Sequence, residues 1–360
     1  MARFPSLGRP GAQFAMYSHA PIMTELSILY LMEDTDLSGG VRVQLAHADE
    51  LIRRGHRVSI ATKGAPLTWR SSTADWIYTE SFESLDASRF DFVIGTFWRT
   101  VEPAWRLAPD RAVHLCQGYE GSFTFYEDDR EEIERVYELP IPKLTVGSHL
   151  EGIIERFTRD VTWIGQIVED DFYQPKTAES SPLRVLLAGA SEIDIKGIDV
   201  GYGAVLHARF NGAEVELIRV SPWRPSGSEP VEQVAEFHVA LNTNEMRKLM
   251  PTIDILLAPS RREEGFGLHA AEAMASGVPV ILTRIPSYLS FSPNTEFATF
   301  ADENDPVALG DALINLSGDE QRRRRQAELG RRVAEQWRAR EVGDRLEQFF
   351  LERVNTSRNG

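Results

Sequence analysis

A single cysteine, Cys116, in 360 residues rules out an intramolecular disulfide and a cysteine-based zinc cluster, and makes a reducing compartment the natural home. Cys116 itself reads as a small core residue. Uninterrupted apolar stretches are short as well. None approaches the roughly 18–20 residues that cross a bilayer, and the N-terminus lacks the charged-then-apolar plan of a secretory signal, so a cytoplasmic location is expected. Positive charge is the third shortage. Against 54 Asp and Glu stand 39 Lys and Arg, a net charge of −15, which argues against nucleic acid as the main partner, because phosphate backbones are held chiefly by Lys and Arg. The local exception is Arg322 to Arg325, read as a solvated helix face that leaves peripheral contact with anionic headgroups at the inner side of a membrane open.

What remains is ordinary for a folded chain, with 42% hydrophobic and 26% charged residues. The length fits two domains of roughly 100–200 residues. Residues 1–25 carry Pro5, Gly8, Pro10, Gly11 and Pro21 without periodicity and read as an arm. Ser27 to Met32 is a short apolar run, followed by an acidic loop, Glu33 to Asp36, then Gly39-Gly40 and a helical pattern that Gly55-His56 stops before Val58 to Thr62. This is one βαβ unit. Apolar runs recur at Phe92–Gly95, Ala112–Leu115 and Lys143–Val146, the rhythm of a parallel sheet with helices on both faces. From Asp171 to Pro182 the pattern is lost, which sets a domain boundary. It restarts at Leu183–Gly189 and continues through Ala213–Ile218 and Ile253–Ala258, a second α/β domain.

The stretch with the most chemistry is Ala258 to Val280. A buried strand ends, a polar glycine-bearing turn follows, and an alanine-rich helix begins. Free N–H groups and the positive dipole end of a helix start attract phosphate, and Gly265 and Gly267 let a ligand approach the backbone. Glu264 and Glu272 lie on either side of that helix start and can face one cleft. As acceptors they suit hydroxyl groups, one set on a sugar and one on a ribose, while the helix start and basic residues take the phosphates.

The run from Glu264-Gly-Phe-Gly-Leu-His to Glu272 and on to Val280, with its lead-in from Asn244-Glu245-Met246 through Ala258-Pro259-Ser260, resembles the E-x7-E signature of retaining glycosyltransferases of family four. The resemblance implies a GT-B fold: two Rossmann-like, doubly wound α/β domains facing a central cleft. Residues 26–172 would form the acceptor-side domain, 173–182 a linker, 183–335 the nucleotide-sugar-binding domain, and 336–360 a C-terminal helix packing back toward the first domain. It implies that Glu264 contacts the donor sugar, that Glu272 binds ribose hydroxyls, and that Gly265, Phe266, Gly267 and Leu268 meet the donor. His269 stands where the family usually has proline. Lys196-Gly197 matches the family's phosphate-binding lysine, but the arginine usual shortly before it is replaced by Gly189-Ala190-Ser191, so Arg261 or Arg262 is expected to meet the diphosphate. Gly39-Gly40 resembles the glycine loop of the family's first domain. On the acceptor side the resemblance points to His114, Gln117, Tyr119 and Glu120, with Gln117-Gly118 where the family often shows His-Asp. Gln117 to Glu120 is also loosely similar to a Gln-Asp-Tyr-Glu stretch of bacterial rhamnosyltransferases.

The partners so implied are a nucleotide-sugar donor and a carbohydrate or other hydroxyl acceptor, in polysaccharide, glycoconjugate or secondary-metabolite synthesis. No cofactor or metal is expected, and Glu33 to Asp36 reads as an acidic loop more readily than as a metal cluster. Lys196 and Glu264 are the residues expected to carry catalysis. Bland readings stand beside these: acids suit a helix start anyway, and His114 is more often a satisfied core histidine than a base. Three other classes compete. Gly265 to Ala270 formally fits the dinucleotide pattern G-x-G-x-x-A, but no ribose-binding acid follows the next strand. A non-catalytic nucleotide-sugar-binding homologue and a sugar-nucleotide epimerase stay open.

Overall fold

The computed structural model describes residues 25–174, 176, 179–225, 227 and 229–359; most of the N-terminal arm, residues 1–24, lies outside them. Two parallel sheets organise the chain. The first has strands β1 (Ser27–Met32), β2 (Arg57–Thr62), β3 (Asp75–Tyr78), β4 (Phe92–Gly95), β5 (Ala112–Cys116), β6 (Lys143–Thr145) and β7 (Val161–Trp163) in the order β3-β2-β1-β4-β5-β6-β7. The second has β8 (Leu183–Ala188), β9 (Val215–Ser221), β10 (Glu236–Val239), β11 (Ile255–Ala258), β12 (Val280–Thr283) and β13 (Thr299–Ala301) in the order β10-β9-β8-β11-β12-β13. In both, the chain leaves the centre toward one edge and then returns to build the other, so each sheet has a crevice at its reversal point.

Strand periodicity explains the layering. Along β1, Ile28, Tyr30 and Met32 join one apolar cluster while Leu29 and Leu31 join another on the opposite face. β8 and β11 repeat this, with Leu186 and Leu256 on one side and Val185, Leu187, Ile255 and Leu257 on the other. A sheet covered on both faces needs apolar residues at successive positions, which is why its central strands read as continuous hydrophobic runs.

Hydrogen bonds tie the domains together where the chain passes between them. Val168 N–H donates to the Trp337 carbonyl at 2.8 Å, and Tyr173 OH donates to the Ala334 carbonyl at 2.6 Å. The last helix, Ala339–Asn359, then lies on the first domain. Arg54 bonds Glu347 at 2.7 Å and the Arg340 carbonyl at 2.8 Å, Arg345 donates to the Ile164 carbonyl at 2.7 Å, and Phe350 meets Phe92 with ring centres 4.7 Å apart.

Buried histidines make the fold acid-sensitive. His47, on the helix Gly39–Arg53, is fully buried, and burial lowers its pKa from 6.5 to about 4. As pH falls below 6.5 the unfolded chain takes this proton and the folded chain does not, so stability present above pH 6.5 is lost down to pH 4, about 3 kcal/mol for this group. Burial lowers His114 and His149 in the same direction. Urea unfolding across pH 7.5 to 4 is expected to show this loss, and His47→Leu is expected to remove its share of the slope; an unchanged slope would rule out His47 as a source.

Candidate active site

A cleft of about 620 Å³ opens between the two sheets. Its walls come from the carboxyl ends of strands: Glu33 after β1, Thr96 and Phe97 after β4, Gln117 and Gly118 after β5, Gly189 after β8, Ser221 at the end of β9, and Pro259 and Ser260 after β11. This is where parallel sheets hold ligands, because the chain turns there leave backbone groups and side chains free to converge.

Lys196 ends a short turn, Asp194–Lys196, and Gly197 follows in the left-handed region with φ 58° to start the helix Ile198–Phe210. Any side chain at Gly197 would also strike the Pro259 carbonyl oxygen, 2.1 Å from an added Cβ. Glycine therefore lets the turn sit against the exit of β11. The result is a short ion pair: Lys196 Nζ donates to both Glu264 oxygens, at 2.7 and 3.0 Å. Ser260 Oγ donates to the same carboxylate at 3.0 Å, and Tyr288 OH donates to Ser260 at 2.9 Å. Burial pushes the Glu264 carboxyl up, but the Lys196 ammonium and the Ser260 hydroxyl outweigh it and hold the group below its ordinary range.

Gly267, at φ 86°, caps the helix Leu268–Ala275, and its missing side chain makes room for the Tyr288 ring, 2.2 Å from an added Cβ. Four residues into that helix, Glu272 is fully buried. One oxygen accepts from Arg42 of the other domain and the second faces His269 Nδ1 at 3.1 Å. Burial raises the Glu272 carboxyl, and Arg42 and His269 together more than reverse this. Opposite lies the helix Gly39–Arg53, capped by Ser38, whose hydroxyl accepts from Val41 N–H at 3.2 Å. Two helix starts thus face one space.

The two domains touch at Gly265, where an added Cβ would lie 2.1 Å from the Gln117 carbonyl oxygen and 3.2 Å from Gly118 Cα. Gln117 in turn packs 3.4 Å from where a Gly40 side chain would begin and donates to the Thr96 carbonyl at 3.3 Å. Since the clash at Gly265 is with backbone, Gly265→Ala must push the loops apart. Activity at this cleft is expected to fall about tenfold, through misplacement of the groups that meet there, with the melting temperature within about two degrees of wild type because neither core is entered. Wild-type turnover in this variant would show that the close approach is dispensable.

The cleft brings together Gly39, Gly40, Gln117, Glu120, Lys196, Glu264, Gly265, Phe266, Gly267, Leu268 and His269. Glu120 is buried, accepts from Tyr137 OH, and has its carboxyl pushed up by burial. Five expected residues lie elsewhere. Glu272, expected at the ribose, is fully buried, engaged by Arg42 and His269, and does not line the cleft. Arg261 turns to the Asp194 carbonyl at 2.9 Å and Asn304 at 2.8 Å; Arg262 pairs with Glu303 at 2.8 Å. Both are satisfied by acids outside the cleft, so the expectation that one meets the diphosphate is corrected. His114 is completely buried in β5 with its ring against Tyr137, centres 4.7 Å apart. Tyr119 is held by Glu134 at 3.0 Å and by the Arg156 guanidinium over its ring. Neither lines the cleft that Gln117 and Glu120 line: His114 lies within β5, and Tyr119 lies in the turn after it.

Sequence reading missed Arg42, Ser260, Tyr288 and an aromatic shelf of Phe97, Phe123, Phe125 and Tyr126 at the first-domain end. Arg42 carried one signal, a cation in the first turn of a helix, which opposes the helix dipole. The shelf carried none, because aromatics in a loop do not announce which way they face.

Residues 228–333 match the family described as Glycosyl transferases group 1. The chain is 28% identical over 179 residues to the MMP alpha-(1->4)-mannosyltransferase of Mycolicibacterium hassiacum, 46% of this chain and 42% of that protein. It is 29% identical over 118 residues to the N-acetyl-alpha-D-glucosaminyl L-malate synthase of Bacillus anthracis, 32% of this chain and 31% of that protein. The matches thus span less than half the length of these curated relatives. Among solved structures, sucrose-phosphate synthase of Thermosynechococcus elongatus superposes with a TM-score of 0.73 at 16% identity, covering 92% of this chain and 100% of that one. Anabaena Alr3699/HepE in complex with UDP-glucose gives a TM-score of 0.73 at 13% identity, over 92% of this chain and 100% of that one. The fold is GT-B.

Proposed function

We propose that this chain, whose residues 228–333 are a group 1 glycosyltransferase segment set in a two-domain GT-B fold, transfers a sugar from a nucleotide-sugar donor to an acceptor hydroxyl with retention at the anomeric carbon. The observation that carries the reading is the Lys196–Glu264 pair at 2.7 Å on the cleft wall, a buried carboxylate held by a partly exposed lysine, beside the start of the helix Leu268–Ala275 and facing the start of the helix Gly39–Arg53. A nucleoside diphosphate leaving group needs fixed positive potential where its charge develops, and an ammonium with two helix starts supplies it without reorganisation. Glu264, kept ionised by Lys196, accepts hydrogen bonds from the donor sugar's hydroxyls.

As the bond from the anomeric carbon to phosphate oxygen breaks, its electron pair goes to the phosphate and the sugar takes on oxocarbenium character. The acceptor hydroxyl enters on the face the phosphate leaves and gives its proton to the departing phosphate oxygen as its own oxygen bonds the anomeric carbon, so no covalent enzyme intermediate is invoked. The acceptor lies toward Gln117, Glu120 and the aromatic shelf, where ring faces suit the apolar face of a sugar. Metal-free catalysis is part of the proposal, since Lys196 and the helix starts take the part a cation would otherwise play. Peripheral membrane contact through Arg322, Arg324 and Arg325 belongs to the proposal too; among the described residues no helix is long and apolar enough to cross a membrane.

Calorimetric titration with UDP, GDP, ADP and dTDP tests the donor site. One diphosphate is expected to bind and to raise the melting temperature in proportion to the logarithm of its concentration. Absence of binding by all four would remove the nucleotide-sugar reading and favour a homologue with another ligand.

A further inference from the structure

A diphosphate brings two to three negative charges into the cleft, yet among the described residues only two Lys or Arg side chains line it, Lys196 and Arg42. Lys196 is committed to Glu264 through two hydrogen bonds. Gly189-Ala190-Ser191, the loop before it, contributes no cation, and Arg261 and Arg262 are engaged by acids outside. From these observations, and resting on the nucleotide-sugar reading above, we infer that Arg42 is the second phosphate ligand, reaching the donor from the opposite domain, and that Glu272 is its positioning residue.

Arg42 has the properties this requires. It is nine-tenths buried, at 9% exposure, and still lines the cleft. Its Nε is buried without a hydrogen-bond partner. A guanidinium has five donors in a fixed fork, and an orphaned buried donor costs free energy unless a ligand satisfies it. The residue also stands in the first turn of its helix, where a cation works against the dipole. Both costs are offset if an anion binds between the two helix starts. Glu272 accepts from one terminal nitrogen and is itself braced by His269, so the fork is held with Nε left over. A planar fork suits a phosphate edge in a way a lysine does not.

The test compares wild type, Arg42→Gln and the double variant Arg42→Gln/Glu272→Gln, which removes both buried charges together and so avoids stranding a carboxylate. Affinities are measured for the nucleoside, monophosphate and diphosphate of whichever base binds in the panel above. Arg42→Gln is expected to lose about tenfold for the diphosphate and less than twofold for the nucleoside; in the double variant, which also removes the carboxylate expected at the ribose, the advantage of the diphosphate over the nucleoside is expected to fall by the same factor. Arg42→Lys is expected to recover part of the loss. Equal losses for all three ligands, or none, would reduce Arg42 to a structural tie and overturn the inference alone. A wild type that binds no diphosphate overturns the reading beneath it and the inference together.

Discussion

Replacing Lys196 with alanine is expected to lower kcat for sugar transfer by about two to three orders of magnitude, the range seen when a single preorganised electrostatic donor is removed. Lys196 has a double role in this site. In the proposed reaction its ammonium stabilises the departing diphosphate, while its two bonds to Glu264, at 2.7 and 3.0 Å, hold that carboxylate below its ordinary range against its burial. Without it, burial is left to push the Glu264 carboxyl up, with only Ser260 and His269 opposing. The variant's rate should therefore also become more sensitive to acid than that of wild type, since Glu264 protonates at higher pH. Steady-state kinetics at several pH values separate the two effects. A variant within threefold of wild type at neutral pH would mean that the leaving group is stabilised elsewhere.

Arg219→Ala is expected to destabilise the second domain by about 3–5 kcal/mol, a large part of the 5–15 kcal/mol typical of a domain. Arg219 is fully buried in β9, bonds Glu229 at 2.7 Å and donates to the Leu187 and Val220 carbonyls. Glu229 also accepts from Tyr202 OH at 3.0 Å and from Ser191 Oγ at 3.1 Å. Removing the guanidinium strands a buried carboxylate and loosens the Ser191 loop that leads to Lys196. The paired change Arg219→Met/Glu229→Gln removes both charges and is expected to restore most of the lost stability. Urea unfolding followed by tryptophan fluorescence measures both; equal losses in the single and paired variants would show that packing, not the stranded charge, sets the cost.

The sequence was legible where burial is two-sided. β1, β4, β8 and β12 were marked by continuous apolar runs, because both faces of those strands are covered. The strands not foreseen, β3, β7, β10 and β13, are the four edges of the two sheets. Asp75–Tyr78 and Glu236–Val239 are half exposed and mixed in composition, so no apolar run betrays them. The same logic applies to the site. Glu264, Lys196 and the glycines around them were found through motif spacing, a local property of the chain. Arg42 meets Glu272 across 230 positions of sequence, and such a pairing depends on how the domains face each other. Arg261 and Arg262 misled for the reverse reason: they adjoin the motif, but the turn directs them outward to Asp194 and Glu303.

The central claim, that the Lys196–Glu264 wall of this cleft supports departure of a nucleoside diphosphate from a sugar, is tested most directly by nucleotide-sugar consumption. Wild type and Lys196→Ala are incubated with UDP-, GDP-, ADP- and dTDP-sugars, with and without a mixture of sugar acceptors, and the released diphosphate is measured. The account predicts release from donors of one base by wild type, stimulated by acceptor and at least a hundredfold slower in the variant. No release from any donor, or equal release by the variant, would contradict it.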